Sequence, residues 1–168
     1  MEHSNDALKN DALKFEKHFP AEGDLTLQVL KGHLLVEEIL RELFIMQLPY
    51  SQALKGNGGT SFNCHQVICL VEAMMIHSQR HPWVWQAAKK LNNIRNDLAH
   101  QLSPKGLEGK VDGLIAFVKK ENPKLIEEAN EEGLSVGELI IILIAMCSCL
   151  SSLKPILAKT LIKIRKLP

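Results

Sequence analysis

The sequence predicts an all-α fold, an antiparallel helical bundle of about five or six helices in a single domain of 168 residues. Apolar residues recur at spacings of three and four along most of the chain, which is the period of an amphipathic helix. No segment shows convincing strand alternation between turn signals. The composition, 46% hydrophobic and 23% charged, is sufficient for a buried core.

The first two helices are each bounded by proline. We expect one over about residues 5–18, before Pro20, and a longer one from near Asp24 to a stop at Pro49. The apolar stripe predicted for the longer helix consists of Leu27, Leu30, Leu34, Leu35, Ile39, Leu43 and Met46. The glycine-rich segment 55–60 lacks the GKS or GKT ending of a phosphate-binding loop, so we interpret it as a connector.

Three helices follow this connector. The first is predicted over about residues 61–77. The second begins at Pro82, since proline is tolerated in the first helical turn, and extends to about residue 100 or 102. Residues 103–106 end it, and the third helix covers about residues 107–121.

The C-terminal part is predicted to end in one long apolar helix. A short polar piece at about 124–130 precedes it, and Ser135 with Glu138 forms the capping box at its start. Pro155 is expected to break or kink this helix. Residues 157–165 are expected to continue as a basic amphipathic end. The basic residues of the tail 159–166 fit either a contact with RNA or an anionic surface, or the ordinary preference for cations at a helix C-terminus.

Composition also excludes several classes of protein. A net charge of +1 gives no global cationic field, so any contact with nucleic acid must be local. The start MEHSNDALKN shows no secretory signal, and the longest apolar run, 139–149, is shorter than the roughly 20 residues that cross a membrane. The four cysteines form no CxxC pair, which argues against a disulfide framework or a zinc ribbon. We therefore expect a cytoplasmic protein without membrane contact.

The helix that begins at Pro82 carries the candidate site. Its core-facing side is predicted to contain Val84, Ala87, Ala88, Leu91, Ile94 and Leu98. Asn92, Asn96 and His100 follow each other four residues apart, and Arg95 lies between this polar line and the apolar side. An imidazole can transfer a proton at neutral pH and a guanidinium can stabilise charge on a phosphate, so the set suits RNA cleavage without a metal. The same spacing also arises by chance, and a histidine at a helix end commonly interacts only with the last carbonyls.

Residues 95–100, RNDLAH, resemble the motif of HEPN domains (higher eukaryotes and prokaryotes nucleotide-binding). That motif is an arginine, often followed by asparagine, then a histidine four to six residues after the arginine, at the end of a helix in a small bundle. Segments 30–38 and 85–94 also look like stretches of bacterial stand-alone HEPN-like proteins. The resemblance covers about residues 5–120, and helices over about 124–166 are expected to pack on that core.

The resemblance implies a homodimeric endoribonuclease that needs no metal or cofactor, with the two motifs facing one cleft. Arg95 and His100 would be catalytic, and Asn96 would position the RNA backbone or shape the site. Asn92, one turn earlier on the polar line, is a second candidate for binding RNA. Such proteins often act as toxins or in defence against phage, frequently beside a nucleotidyltransferase antitoxin. The alternative is a non-catalytic interaction module, such as a regulator, antitoxin or immunity protein, which the near-neutral charge favours.

Other polar and aromatic residues favour structural roles. His77 and His81 are four apart, but Pro82 and the lack of a third ligand argue against a metal site, and none is predicted. Glu37 and Glu38 fit a solvated helix face better than a contact with Arg95, and Trp83 and Trp85 fit burial better than stacking on RNA bases.

Overall fold

A computed structural model of the protein describes residues 11–15, 17–19, 24–55, 62–100, 105–134 and 136–164, without the side chains of 55 and 161–164. Within these ranges the regular structure is helical and no β-strand occurs, so the predicted all-α bundle is confirmed. The helices are α1 (residues 11–15 and 17–18), α2 (Leu25–Gln47), α3 (Cys64–Met74), α4 (Pro82–His100), α5 (Leu107–Glu121), α6 (Leu125–Glu131) and α7 (Glu138–Ile164), with 3₁₀ turns at Ser51–Lys55 and Ser78–Arg80.

Local capping explains the helix boundaries that the sequence predicted well. The side chain of Asp24 accepts a hydrogen bond from the Thr26 amide at 2.8 Å and begins α2, which ends just before Pro49. Helix α4 begins at Pro82, as predicted, and its described part reaches His100. Helix α5 starts after Gly106, whose φ of 80° favours glycine, and ends at Glu121.

Helix α3 is shorter than predicted at both ends. Asn63 accepts from the Gln66 amide at 2.9 Å while its own amide donates to the Gln66 side chain at 3.0 Å, a capping box that starts the helix three residues later. At the other end the backbone of Met75 is extended, which ends the helix at Met74. The loop assigned to 55–60 and the end of α4 at 103–106 fall largely outside the described residues.

Of the predicted break or kink at Pro155, the break is wrong, because α7 continues through this residue to Ile164. A proline inside a helix costs about 3 kcal/mol, yet Leu153, Lys154 and Leu157 around it are all buried. Tertiary packing therefore outweighs the local penalty. The predicted N-cap Ser135, residues 5–10 of the first helix, and the side chains of the basic end beyond residue 160 lie outside the described residues.

Helices α2 and α7 form the most extensive helix contact of the bundle. They approach so closely at Gly32 that a Cβ there would lie 2.5 Å from Cδ1 of the buried Leu143. The stripe predicted for α2 is partly wrong, since Leu27 is 43% and Leu34 58% exposed. Because α2 contacts α3, α4 and α7, its buried side is broad. This side is centred on Val29, Gly32, Val36, Leu40 and Leu43, of which the predicted stripe contained only Leu43.

The core side predicted for α4 is confirmed, with five of its six residues buried and Leu98 packed at the margin. Trp83 and Trp85 are buried as well, and the Trp85 indole donates to the Ser78 carbonyl at 2.8 Å. Neither ring is available for stacking on a base.

By length and composition alone, one described helical segment, Glu138–Thr160, is apolar and long enough to cross a membrane. Of its most apolar window, 61% is buried inside the bundle. This burial favours the expected core helix.

Candidate functional site

An open cavity of about 500 Å³ lies between α2, α3 and α4. It collects all four residues that the sequence singled out on α4, which are Asn92, Arg95, Asn96 and His100. The other side chains around it are His33, Glu37, Arg41, Phe62, Asn63, Cys64 and His65. The predicted line of polar residues therefore faces a cleft, although most of the lining comes from elsewhere in the chain.

The α4 residues differ in how far they reach solvent. Arg95 is half-buried, whereas Asn96 and His100 are exposed. The Arg95 guanidinium donates to the Asn96 amide oxygen at 3.3 Å. Asp97 takes part in the contact between α4 and α5, because its carboxylate pairs with Lys110 of α5 at 2.6 Å. Arg95, Asn96 and His100 are thus the α4 groups that can touch a ligand in the cavity.

Asn92 lies in the wall of the cavity and is only 3% exposed. Its side-chain oxygen and the Nε2 atom of His33 are 3.2 Å apart. Because an amide oxygen only accepts, Nε2 is the protonated nitrogen in this pair. The structure thus gives Asn92, predicted to bind RNA, a positioning contact with His33.

Glu37 faces the cavity, so the solvated helix face expected for this residue is wrong. One of its oxygens, Oε1, accepts from Nε and Nη2 of Arg41 at 2.9 and 2.6 Å. Arg41 also donates to the Phe62 carbonyl at 3.2 Å and so ties α2 to the start of α3. The expectation holds for Glu38, which is exposed and pairs with Lys14 at 2.7 Å.

A group of potential metal ligands, missed by the sequence analysis, occupies the α2–α3 wall. His33, Glu37 and Cys64 each offer a ligand atom, and these atoms lie within 4.8 Å of one another. Burial lowers the pKa of His33 and raises the pKa of the Cys64 thiol to about 11, so both groups are neutral at neutral pH. The available signal was a histidine and a glutamate one turn apart on α2, but nothing in the sequence places Cys64 beside them.

The cavity carries a local positive charge on a nearly neutral protein. Arg41 and Arg95 contribute two positive charges and Glu37 one negative charge, which leaves one positive charge when the histidines are neutral. The histidines that line the cavity are His33, His65 and His100. Such a site favours an anionic ligand such as a phosphate group.

Comparisons of the chain with protein-family models, with curated proteins and with solved structures find no match. The HEPN resemblance therefore remains a prediction from the motif residues.

Proposed function

We propose that the protein is a metal-independent endoribonuclease of the toxin or phage-defence type, in which His100 transfers a proton and Arg95 stabilises charge on the phosphate. The observation that supports this proposal is the convergence of Arg95, Asn96 and His100 on one open cavity with a local positive charge. Neither role requires a metal ion.

RNA cleavage of this kind uses the RNA's own 2′-hydroxyl as the nucleophile. The 2′-oxygen attacks phosphorus, the bond from phosphorus to the 5′-oxygen breaks, and a 2′,3′-cyclic phosphate forms. A base takes the proton of the 2′-hydroxyl, and an acid gives a proton to the departing 5′-oxygen. His100 serves as the base, while Arg95 faces the charge that develops on the phosphate oxygens.

A homodimer supplies the second proton-transfer group in this proposal. If two copies of the motif face one cleft, the His100 of one copy is the base and that of the other is the acid. Within one chain, the other exposed imidazole that lines the cavity is His65, whose Nε2 lies 3.6 Å from the sulfur of Cys69. A variant at His65 therefore distinguishes a dimeric site from a site within one chain. A cytoplasmic location and a nucleotidyltransferase antitoxin as protein partner belong to the same proposal.

The test is cleavage of total cellular RNA by the purified protein in excess chelator. We expect His100→Ala and Arg95→Ala each to reduce the rate at least about 100-fold, within the ranges that general acid–base groups and charge-stabilising donors contribute. His77→Ala is the matched control, because His77 is exposed and lies outside the cavity. Products ending in 2′,3′-cyclic phosphate are expected from the parent.

Retention of cleavage by both site variants would contradict the proposal, as would loss of cleavage on removal of metal from a folded protein. Unchanged cleavage by His65→Ala would support the dimeric site. If the parent cuts no RNA, the non-catalytic interaction module becomes the better interpretation, and the near-neutral net charge of +1 is the observation that favours it.

A further inference from the structure

The wall of the cavity formed by α2 and α3 carries a second set of reactive side chains. His33 and Glu37 are one turn apart on α2, and Cys64 is the first residue of α3. Their imidazole nitrogen, carboxylate oxygen and sulfur lie within 4.8 Å of one another, and no other group of three such ligands comes together in the described part of the chain.

We propose that His33, Glu37 and Cys64 bind a divalent transition-metal ion of the zinc class, with the remaining coordination position open to the cavity. A nitrogen, a sulfur and an oxygen ligand are the donors that zinc takes in proteins, whereas calcium and magnesium prefer oxygen alone. Three protein ligands beside open space are the arrangement of a site that also binds water or an anion.

The state of His33 provides independent support. Its Nε2 is committed to the Asn92 oxygen at 3.2 Å, which leaves a lone pair on Nδ1. The His33 residue is only 2% exposed, and its Nδ1 atom is buried without a hydrogen-bond partner. A buried polar atom without a partner is costly, and a metal ion would satisfy it. Histidine ligands commonly donate their other nitrogen to an oxygen in this way, which orients the ring.

Glu37 is also arranged as a ligand would be. Its Oε1 accepts from Arg41, while its Oε2 lies 3.6 Å from Nδ1 of His33, too far for a hydrogen bond. One oxygen is therefore held in place and the other faces the imidazole lone pair. Carboxylates that ligate metals are typically held by such outer hydrogen bonds.

The group would close only slightly around an ion. Zinc bond lengths place tetrahedral ligand atoms roughly 3.3 to 3.7 Å apart, so the group must contract by about 1 Å. Cys64 is half-buried at the cavity, and a change of its side-chain rotamer can bring the sulfur closer. On binding, the sulfur–hydrogen bond of Cys64 breaks, the proton goes to solvent, and the thiolate donates its electron pair to the ion.

The experiment is titration of the full chain, purified without a histidine tag, with Co²⁺ and then with Zn²⁺ as competitor. We expect one ion per chain, by calorimetry, and a sulfur-to-cobalt charge-transfer absorption that Zn²⁺ removes. Cys64→Ser should abolish this absorption and weaken Zn²⁺ binding at least about 100-fold, and Glu37→Gln should weaken binding while keeping the absorption. Cys69→Ser is the matched control, since Cys69 is a half-buried thiol of the same helix outside the group.

Absence of saturable binding to the folded parent would overturn the proposal. So would an absorption that persists in Cys64→Ser but disappears in Cys69→Ser, because the ion would then sit at the His65 and Cys69 pair. Circular dichroism establishes whether each variant is folded. If Cys64→Ser is not folded, the weaker binding expected for Glu37→Gln provides the test. No RNA is present in these measurements, so their outcome is independent of the proposed nuclease.

Discussion

Helix α2 contributes to two groups of buried and half-buried polar side chains on its opposite sides, and the two groups differ in how completely they are partnered. The first, here the cavity cluster, consists of His33, Glu37, Cys64 and Asn92. The second, here the ion cluster, includes Glu42 of the same helix with Asp11, Ser151 and Lys154. His33 and Glu42 are nine residues apart, which corresponds to opposite faces of a helix.

Every charged group of the ion cluster has a partner. Lys154 is 5% exposed, and its ammonium donates to Asp11 at 2.6 Å and also pairs with Glu42. The second donor to Asp11 is the Ser151 hydroxyl, also at 2.6 Å. These contacts join α1, α2 and α7, so the ion cluster is part of what holds the helices together.

The cavity cluster, by contrast, leaves one nitrogen of His33 unpartnered and lies beside about 500 Å³ of open space. A buried polar group without a partner reduces stability, and such groups are uncommon unless a ligand or a reaction uses them. The comparison indicates that polar burial alone does not mark a functional site. Incomplete partnering beside a cavity is the more informative feature.

Removal of Lys154 tests the ion cluster and should have the largest effect on stability. Lys154→Met keeps most of the apolar stem but leaves the Asp11 carboxylate buried without its cation, so we expect a loss of about 3 to 5 kcal/mol in the free energy of unfolding. Urea denaturation measures this loss. The control is Asp11→Asn in the Lys154→Met background, which should recover part of it because the uncompensated charge is gone. A loss under about 1 kcal/mol would show that water solvates the cluster.

Removal of the amide of Asn92 tests the cavity cluster and should cost less. Asn92→Ala leaves both nitrogens of His33 without a partner, which we expect to lower the free energy of unfolding by about 1 to 3 kcal/mol. Asn93→Ala is the matched control, since the neighbouring Asn93 is exposed and its change should stay within about 0.5 kcal/mol. Equal changes in the two variants would mean that the contact with His33 contributes nothing to stability.

Much of the fold was predictable because its signals are local. Helix α2 begins at the cap Asp24 and ends before Pro49, and α4 begins at Pro82. These signals, a capping side chain and prolines without an amide hydrogen, depend only on neighbouring residues. The α4 half of the cavity was predictable for the same reason, since residues four apart share a helix face. The continuation of α7 through Pro155 was not, because it depends on burial against distant parts of the chain.

The other half of the cavity depends on which helices face each other. Glu37 looked like an ordinary surface carboxylate. His33 and Arg41 are each one turn away from it on α2, but only the packing of α2 against α3 brings Cys64 beside it. The ion cluster was equally hidden, since Asp11 and Lys154 are 143 residues apart in the sequence. Pairings of this kind carry no local signal.

Removal of His100 should have the smallest effect on stability, and this makes it the most informative variant for function. His100 is exposed, and a substitution at an exposed position usually changes stability by no more than about 0.5 kcal/mol. We therefore expect His100→Ala to change the free energy of unfolding by under about 1 kcal/mol in urea denaturation, well below Lys154→Met. A larger loss would assign His100 a structural role, and the absence of RNA cleavage in this variant would then say nothing about proton transfer. If His100→Ala keeps its stability, any loss of cleavage is attributable to the missing imidazole. Such a result would contrast with Lys154→Met, because a side chain of a partnered structural cluster supports the fold, whereas a side chain of a site kept open for a ligand does not.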